Sequence, residues 1–332
     1  MDRSHFRQTL LLVIALILAI GAGWYAHKWY IHHYEDHSQR RVNLKGYEFT
    51  SPLLDIELPE GFNVDYEPHP FKYKIVSFIK EKVDSGQVRN VAVYYRDLHD
   101  GPWFGINAKI EFNPASMMKV PVMVAWLKRA EKDRFVLNRK MRYAVSLNTV
   151  PRQYTKPARS IIPGKSYTVD ELLHYMLNFS DNRATSLLYK ALSDAELADV
   201  LDSMDVNNNP HDDRNSMTIH GYSGFFRILY NASYLNREMS EKALQLLSLQ
   251  DFPQGIAAGV PAGVKVAAKF GEIVPENNTE EVQLHEFGIV YHPKSHYILG
   301  IMTQGGDFAK QAEIIREISR MVYTEVDSNI RQ

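Results

Sequence analysis

A chain of 332 residues, 45% apolar and 23% charged, can bury a sizeable core in one large domain or two modest ones. A formal net charge of -1 does not suggest the strongly basic face that nucleic acid requires. There is no cysteine, which excludes disulfides, thiolate catalysis and cysteine-ligated zinc.

Thr9 to Ala26 carry no charge and follow Arg3 and Arg7, with Trp24 and Tyr25 at the far end. This is the length of a short membrane helix with an interfacial aromatic pair. No clear small-residue cleavage site follows it, so residues 1–30 read as an uncleaved signal anchor, with a cleaved signal peptide as the competing reading. Either one exports the rest of the chain. Residues 31–69 read as a juxtamembrane linker and lead-in. His27, His32, His33 and His37 fall in and beside this stretch without recurring metal-ligand spacing, and no metal or cofactor is expected.

The domain proper is expected over 70–326. Ile75, Phe78, Ile79 and Val83 have helical apolar spacing within 71–83. Residues 91–98 are β-branched and aromatic and read as a strand, Asp100-Gly101 as its turn and 103–107 as its hairpin partner. Asn113 and Pro114 then mark a helix start, followed by a largely apolar helix over 116–132 with Pro121 inside it as a candidate kink. Thr168 to Glu171 and Ser193 to Glu196 are capping boxes. Further helices are expected over 219–235 and 241–249. Strands follow over 264–271, 284–292 and 296–304, with a polar hairpin turn around 275–283, and an amphipathic helix over 307–324. Two early and three late strands complete one five-stranded antiparallel sheet. The helical block between them forms a subdomain, and the fold class is α+β.

Three short patterns carry chemistry. Ser116-Met117-Met118-Lys119 is S-x-x-K at a helix start. Positions i and i+3 share a helix face, so the lysine amine can reach the serine hydroxyl if burial lowers its pKa. The helix N-terminus offers N–H groups to a developing oxyanion. The spacing alone is weak, since Ser77-Phe78-Ile79-Lys80 also fits it, but mid-helix. The second pattern is Ser180-Asp181-Asn182, which also reads as a turn or helix cap. The third is Lys269-Phe270-Gly271 on a strand, which also reads as an edge-strand lysine.

In order and context these patterns resemble the S-x-x-K, S-D-N and K-T-G signature of class A β-lactamases and penicillin-binding proteins. The similarity extends over roughly residues 70–325. It implies Ser116 as nucleophile, Lys119 as general base and Ser180 as proton relay to the leaving nitrogen. Asn182 would hold the substrate amide and the lysine, and Lys269 would supply positive charge near the substrate carboxylate. The N–H groups of Ser116 and of Glu272, just past Gly271, would form the oxyanion hole.

Two departures from that family matter. Phe270 replaces the usual threonine or serine, which removes a hydroxyl donor and adds bulk, and Glu272 sets a negative charge where an anionic substrate would lie. No glutamate lies between Glu196 and Glu238, where the deacylating glutamate of class A β-lactamases is expected. Asp205, Asp212 and Asp213 are the nearby carboxylates and the candidate deacylation bases, though they read first as turn and cap residues. The sequence therefore points to a serine acyl-enzyme hydrolase of β-lactams or related amides with slow deacylation. A D-alanyl-peptide carboxypeptidase and a non-catalytic binding module on the same scaffold are the alternatives.

Overall fold

The computed structural model describes residues 47–51, 70–98, 103–144, 153–203, 216–275 and 281–329. All fall within the unit Gly46–Gln332. The apolar segment Thr9–Ala26 lies outside the described residues, and among those described no helix is long and apolar enough to cross a membrane.

The chain enters through α1 (Pro70–Asp84) and the strands β1 (Asn90–Asp97), β2 (Trp103–Ile106) and β3 (Glu111–Phe112). A 3₁₀ turn (Ala115–Met118) leads into α2 (Lys119–Lys132), followed by β4 (Lys140–Arg142) and β5 (Ser166–Thr168). The helical block is α3 (Val169–Asn178), α4 (Asn182–Lys190), α5 (Asp194–Asp202), the short strand β6 (Met217–Thr218), α6 (Ile219–Asn231) and α7 (Arg237–Leu247). Three strands close the sheet, β7 (Lys265–Ile273), β8 (Gln283–Tyr291) and β9 (Tyr297–Gln304), before α8 (Phe308–Asn329).

The main sheet has the order β2-β1-β9-β8-β7, antiparallel throughout, so the first two strands and the last three do meet. Strand alternation splits its side chains between two cores. Ala92 and Tyr94 face the helical block with Phe287, Ile289 and Met302. Val91, Val93 and Tyr95 face α1 and α8 with Leu299, Ile301 and Ile315. Each such large side chain contributes about 1.5–3 kcal/mol on burial. Phe49, in the lead-in, packs edge-on against Tyr291 at 5.1 Å, and the N–H groups of Phe49 and Thr50 donate to the Glu241 carboxylate at 2.8 and 2.9 Å.

Both capping boxes form, with Thr168 and Ser193 accepting from Glu171 and Glu196 N–H. Three local expectations are corrected. The segment from Ala115 to Met118 is 3₁₀, so α2 starts only at Lys119 and Pro121 falls in its first turn. A proline in the first turn forfeits no hydrogen bond of the helix, since the N–H it lacks has no helical partner there. The helix read as 219–235 ends at Asn231, because Ala232 takes a left-handed φ of 50°. The next helix begins at Arg237, with Asn236 as its cap, rather than at 241. Two small sheets, β3 with β6 and β4 with β5, were not foreseen.

Candidate active site

The local backbone is shaped before any side chain acts. Asn113 Oδ1 accepts from Ala115 N–H at 2.9 Å, and Ala115 takes a φ of 49°. This pair turns the chain out of β3 and presents Ser116 on the 3₁₀ turn. Tyr222, buried in α6, donates its hydroxyl to Met117 O at 2.8 Å and fixes the turn from below. His285 Nε2 lies 3.1 Å from Asn113 O, while its Nδ1 accepts from Thr303 N–H at 3.2 Å. Burial lowers the His285 pKa to about 4, so the ring is neutral with its proton on Nε2.

Ser180 takes the second positive φ at the site, 53°. Asp181 is the N-cap of α4, accepting from Arg183 N–H at 2.9 Å through one oxygen and from Ile161 N–H at 2.8 Å through the other. The turn-and-cap reading of Ser-Asp-Asn is therefore correct for Asp181, and the cap is what holds Ser180 toward α2.

On β7 the glycine is the positioning element. A Cβ at Gly271 would stand 2.5 Å from Pro114 O and 3.0 Å from Met117 N. Only glycine lets the strand lie against the turn that carries Ser116. That contact brings the backbone of Glu272 beside the turn that carries Ser116.

Lys119, Ser180 and Lys269 form one hydrogen-bonded chain. Lys119 Nζ donates to Ser180 O at 2.8 Å and to Ser180 Oγ at 2.9 Å. Lys269 Nζ donates to Ser180 Oγ at 3.2 Å and to Phe270 O at 2.9 Å. The lysine of S-x-x-K therefore turns to Ser180 rather than bonding to Ser116. Asn182 lines the cavity without a hydrogen bond to Lys119. Burial lowers the Lys119 pKa to about 7, against the raising fields of Asp181 and Glu272. Lys269 is pushed well below its ordinary value, by burial first and by the charge of Lys119 second, with Glu286 and Glu272 opposing.

Ser116, Lys119, Asn182 and Glu272 line one cavity of about 320 Å³. Its walls are mostly apolar, from Met118, Val122, Tyr189, Leu197 and Ile273. Phe270 adds no bulk to it, contrary to the sequence expectation. Its buried ring stacks on Phe252 at 4.4 Å in the core on the far side of the sheet, with the Lys269 amine 4.0 Å above it. Ser77 and Lys80 of the competing S-x-x-K lie exposed on α1, with Lys80 paired to Asp84 at 2.6 Å. Asp205, Asp212 and Asp213 lie outside the described residues.

Sequence reasoning missed several supporting side chains. Gln153 donates to Ser180 O at 3.2 Å. Thr155 holds the Glu272 carboxylate through its N–H at 3.0 and 3.2 Å and its hydroxyl at 3.0 Å. Glu286, buried behind Lys269, accepts from Ile256 N–H at 2.6 Å and from Gln250 at 2.8 Å, and Gln250 in turn accepts from Phe270 N–H at 2.6 Å. His285 and Glu286 interrupt an otherwise apolar strand, and that interruption was a readable signal.

Known proteins share this architecture. A mutant of PBP-A solved as an acyl-enzyme complex with penicillin G is 21% identical, with a TM-score of 0.63 over 79% of this chain and 100% of that one. A β-lactamase from Xanthomonas campestris pv. campestris is 18% identical, with a TM-score of 0.66 over 78% of this chain and 100% of that one. A class A β-lactamase of the last common ancestor of Gram-negative bacteria is 21% identical, with a TM-score of 0.64 over 76% and 99%. At such identities the likeness is one of fold. No curated protein matches the chain in sequence. Residues 74–326 match the Beta-lactamase enzyme family, and the chain belongs to that family.

Proposed function

We propose that the domain is a serine acyl hydrolase that acylates Ser116 with β-lactams or related amides and esters and releases the acyl group slowly. The observation that carries this reading is the hydrogen-bonded chain Lys119–Ser180–Lys269, whose Lys119 end lines the same cavity as Ser116. Neutral Lys119 takes the Ser116 proton as Oγ attacks the carbonyl carbon. The tetrahedral oxyanion is held by the N–H groups of Ser116 and Glu272. Collapse expels the leaving nitrogen or oxygen, which takes the proton from Lys119 through Ser180 Oγ. Water then has to hydrolyse the acyl-serine. Among the described residues lining the cavity the one carboxylate is Glu272, already engaged by Thr155. No glutamate occurs between Glu196 and Glu238 to replace it. Both facts favour slow deacylation, which is how a penicillin-binding protein or D-alanyl-peptide carboxypeptidase behaves toward β-lactams.

The uncharged segment Thr9–Ala26 reads as an anchor holding this domain outside the cytoplasm. Incubation of the domain with penicillin G, and separately with an activated ester, followed by intact mass, tests the chemistry. A lasting acyl adduct on the wild type and none on Ser116→Ala is expected. Absence of any adduct with both reagents would refute the reading, and rapid turnover would refute slow deacylation.

A further inference from the structure

The end of the cavity formed by β7 is closed by a strap. Gln153 holds Ser180 O, Tyr154 stacks on Phe308 at 4.3 Å, and Thr155 donates both its polar hydrogens to Glu272. Residues 153–155 thus run from the S-D-N turn to β7 and the start of α8, tied at three points. Glu272 is only 7% exposed, yet it lines the cavity. Its orientation is set entirely by neutral donors. Among the described residues no lysine or arginine comes within ion-pair distance of it.

The lysine that would greet a substrate carboxylate in the related family is occupied elsewhere. Lys269 donates to Ser180 Oγ and Phe270 O and lies over the Phe270 ring. It is fully buried and does not line the cavity. Lys119 is likewise committed to Ser180. A group bound beside Ser116 therefore meets mostly apolar walls, the Lys119 amine already committed to Ser180, and the Glu272 carboxylate, whose field reaches both lysines without an ion pair to either. Three contacts from two donors also leave that carboxylate acceptor capacity, since its two oxygens offer about four sites.

We infer that Glu272 biases the charge of the substrate: the site prefers acyl donors that carry a cationic group over those that carry a carboxylate near the scissile bond. The inference rests on the acyl-hydrolase reading above. The covalent step is unchanged, with the Ser116 Oγ–carbon bond forming, the leaving-group bond breaking and the Ser116 proton passing to the leaving atom. The charged group is a spectator that Glu272 holds.

The test is a matched series of phenylacetyl thioesters. The leaving thiols are thiocholine, its uncharged carbon isostere and mercaptopropionate, each rate normalised to alkaline hydrolysis. The wild type is expected to rank them cation, neutral, anion in kcat/KM, with about tenfold between the ends for one close, partly solvated charge contact. Glu272→Gln is expected to bring cation and anion within about threefold of the neutral ester. The wild-type ranking needs no variant to fold. Ser116-dependent turnover with the anionic ester first, or a cation preference untouched in folded Glu272→Gln, would overturn this inference alone. No Ser116-dependent turnover of any member would overturn the acyl-hydrolase reading with it.

Discussion

Acylation of Ser116 is expected to rise with pH through a midpoint near 7. Lys119 accepts the serine proton only as the neutral amine. Burial lowers its pKa from 10.5 to about 7, and the fields of Asp181 and Glu272 prevent it from falling further. A shift of that size means that the buried ammonium costs on the order of 5 kcal/mol. Below the midpoint each pH unit is expected to lower the acylation rate about tenfold, and above it the rate levels off. The assay is rapid mixing with excess activated ester, acid quench and intact mass at pH values from about 5 to about 9, spanning the neutral range over which general bases are tuned. A second group titrates in the same window. Burial raises Glu286 to about 7, against the hydrogen bonds from Ile256 N–H and Gln250 and the charge of Lys269. Glu286→Gln separates the two, and the midpoint is expected to survive it. A flat profile, or a midpoint that vanishes in Glu286→Gln, would refute Lys119 as the base.

Lys119→Met tests the same shift through stability. The unfolded lysine keeps its proton up to about pH 10.5 and the folded one only to about 7, so the burial cost is full below about 7 and fades as pH rises to 10.5. The variant is expected to raise Tm by several degrees near pH 6, and much less near pH 10, while acylation is lost. Gly271→Ala drives a Cβ into Pro114 O and Met117 N. Acylation measured by mass is expected to fall about 100-fold, because the nucleophile turn and β7 must part. Phe270→Thr restores the hydroxyl of the usual motif but removes a ring stacked on Phe252. Urea unfolding is expected to show a loss of about 3 kcal/mol. Penicillin acylation faster than wild type in this variant would contradict the placement of the ring outside the cavity.

What the sequence revealed depends on how far apart the cooperating residues lie. Helix starts at Thr168 and Ser193 were legible because a capping box is complete within four residues. The sheet was legible because β7, β8 and β9 are long runs of strand-forming residues that the early hairpin can complete to five, while the edge it joins, beside β9, was not legible. The strands β3 to β6 span two or three residues each, too few to show a period. Ser116, Lys119, Ser180 and Lys269 could be singled out as candidates because motif spacing is a sequence property. Their supports could not, because Thr155 meets Glu272 across 117 positions and Gln153 meets Ser180 across 27. Phe270 shows the reverse error. Its identity departed from the family pattern, and only its packing showed that the departure lies under the lysine rather than in the cavity.

The arrangement around Ser180 explains why that packing matters. A fully buried lysine next to a second buried lysine is unfavourable on both counts, desolvation and like charge. Three features behind Lys269 oppose this. Its amine sits 4.0 Å over the Phe270 ring, which favours the cation. Glu286, opposite Phe270 on β8, contributes an attractive field without touching it. Gln250 ties that carboxylate to Phe270 N–H, so ring, carboxylate and lysine keep one geometry. The amine can then point at Ser180 Oγ without a substrate carboxylate to hold it there. On the proposed reading Lys269 supports Ser180 in the proton relay and is itself supported by the core, which leaves the choice of substrate charge to Glu272.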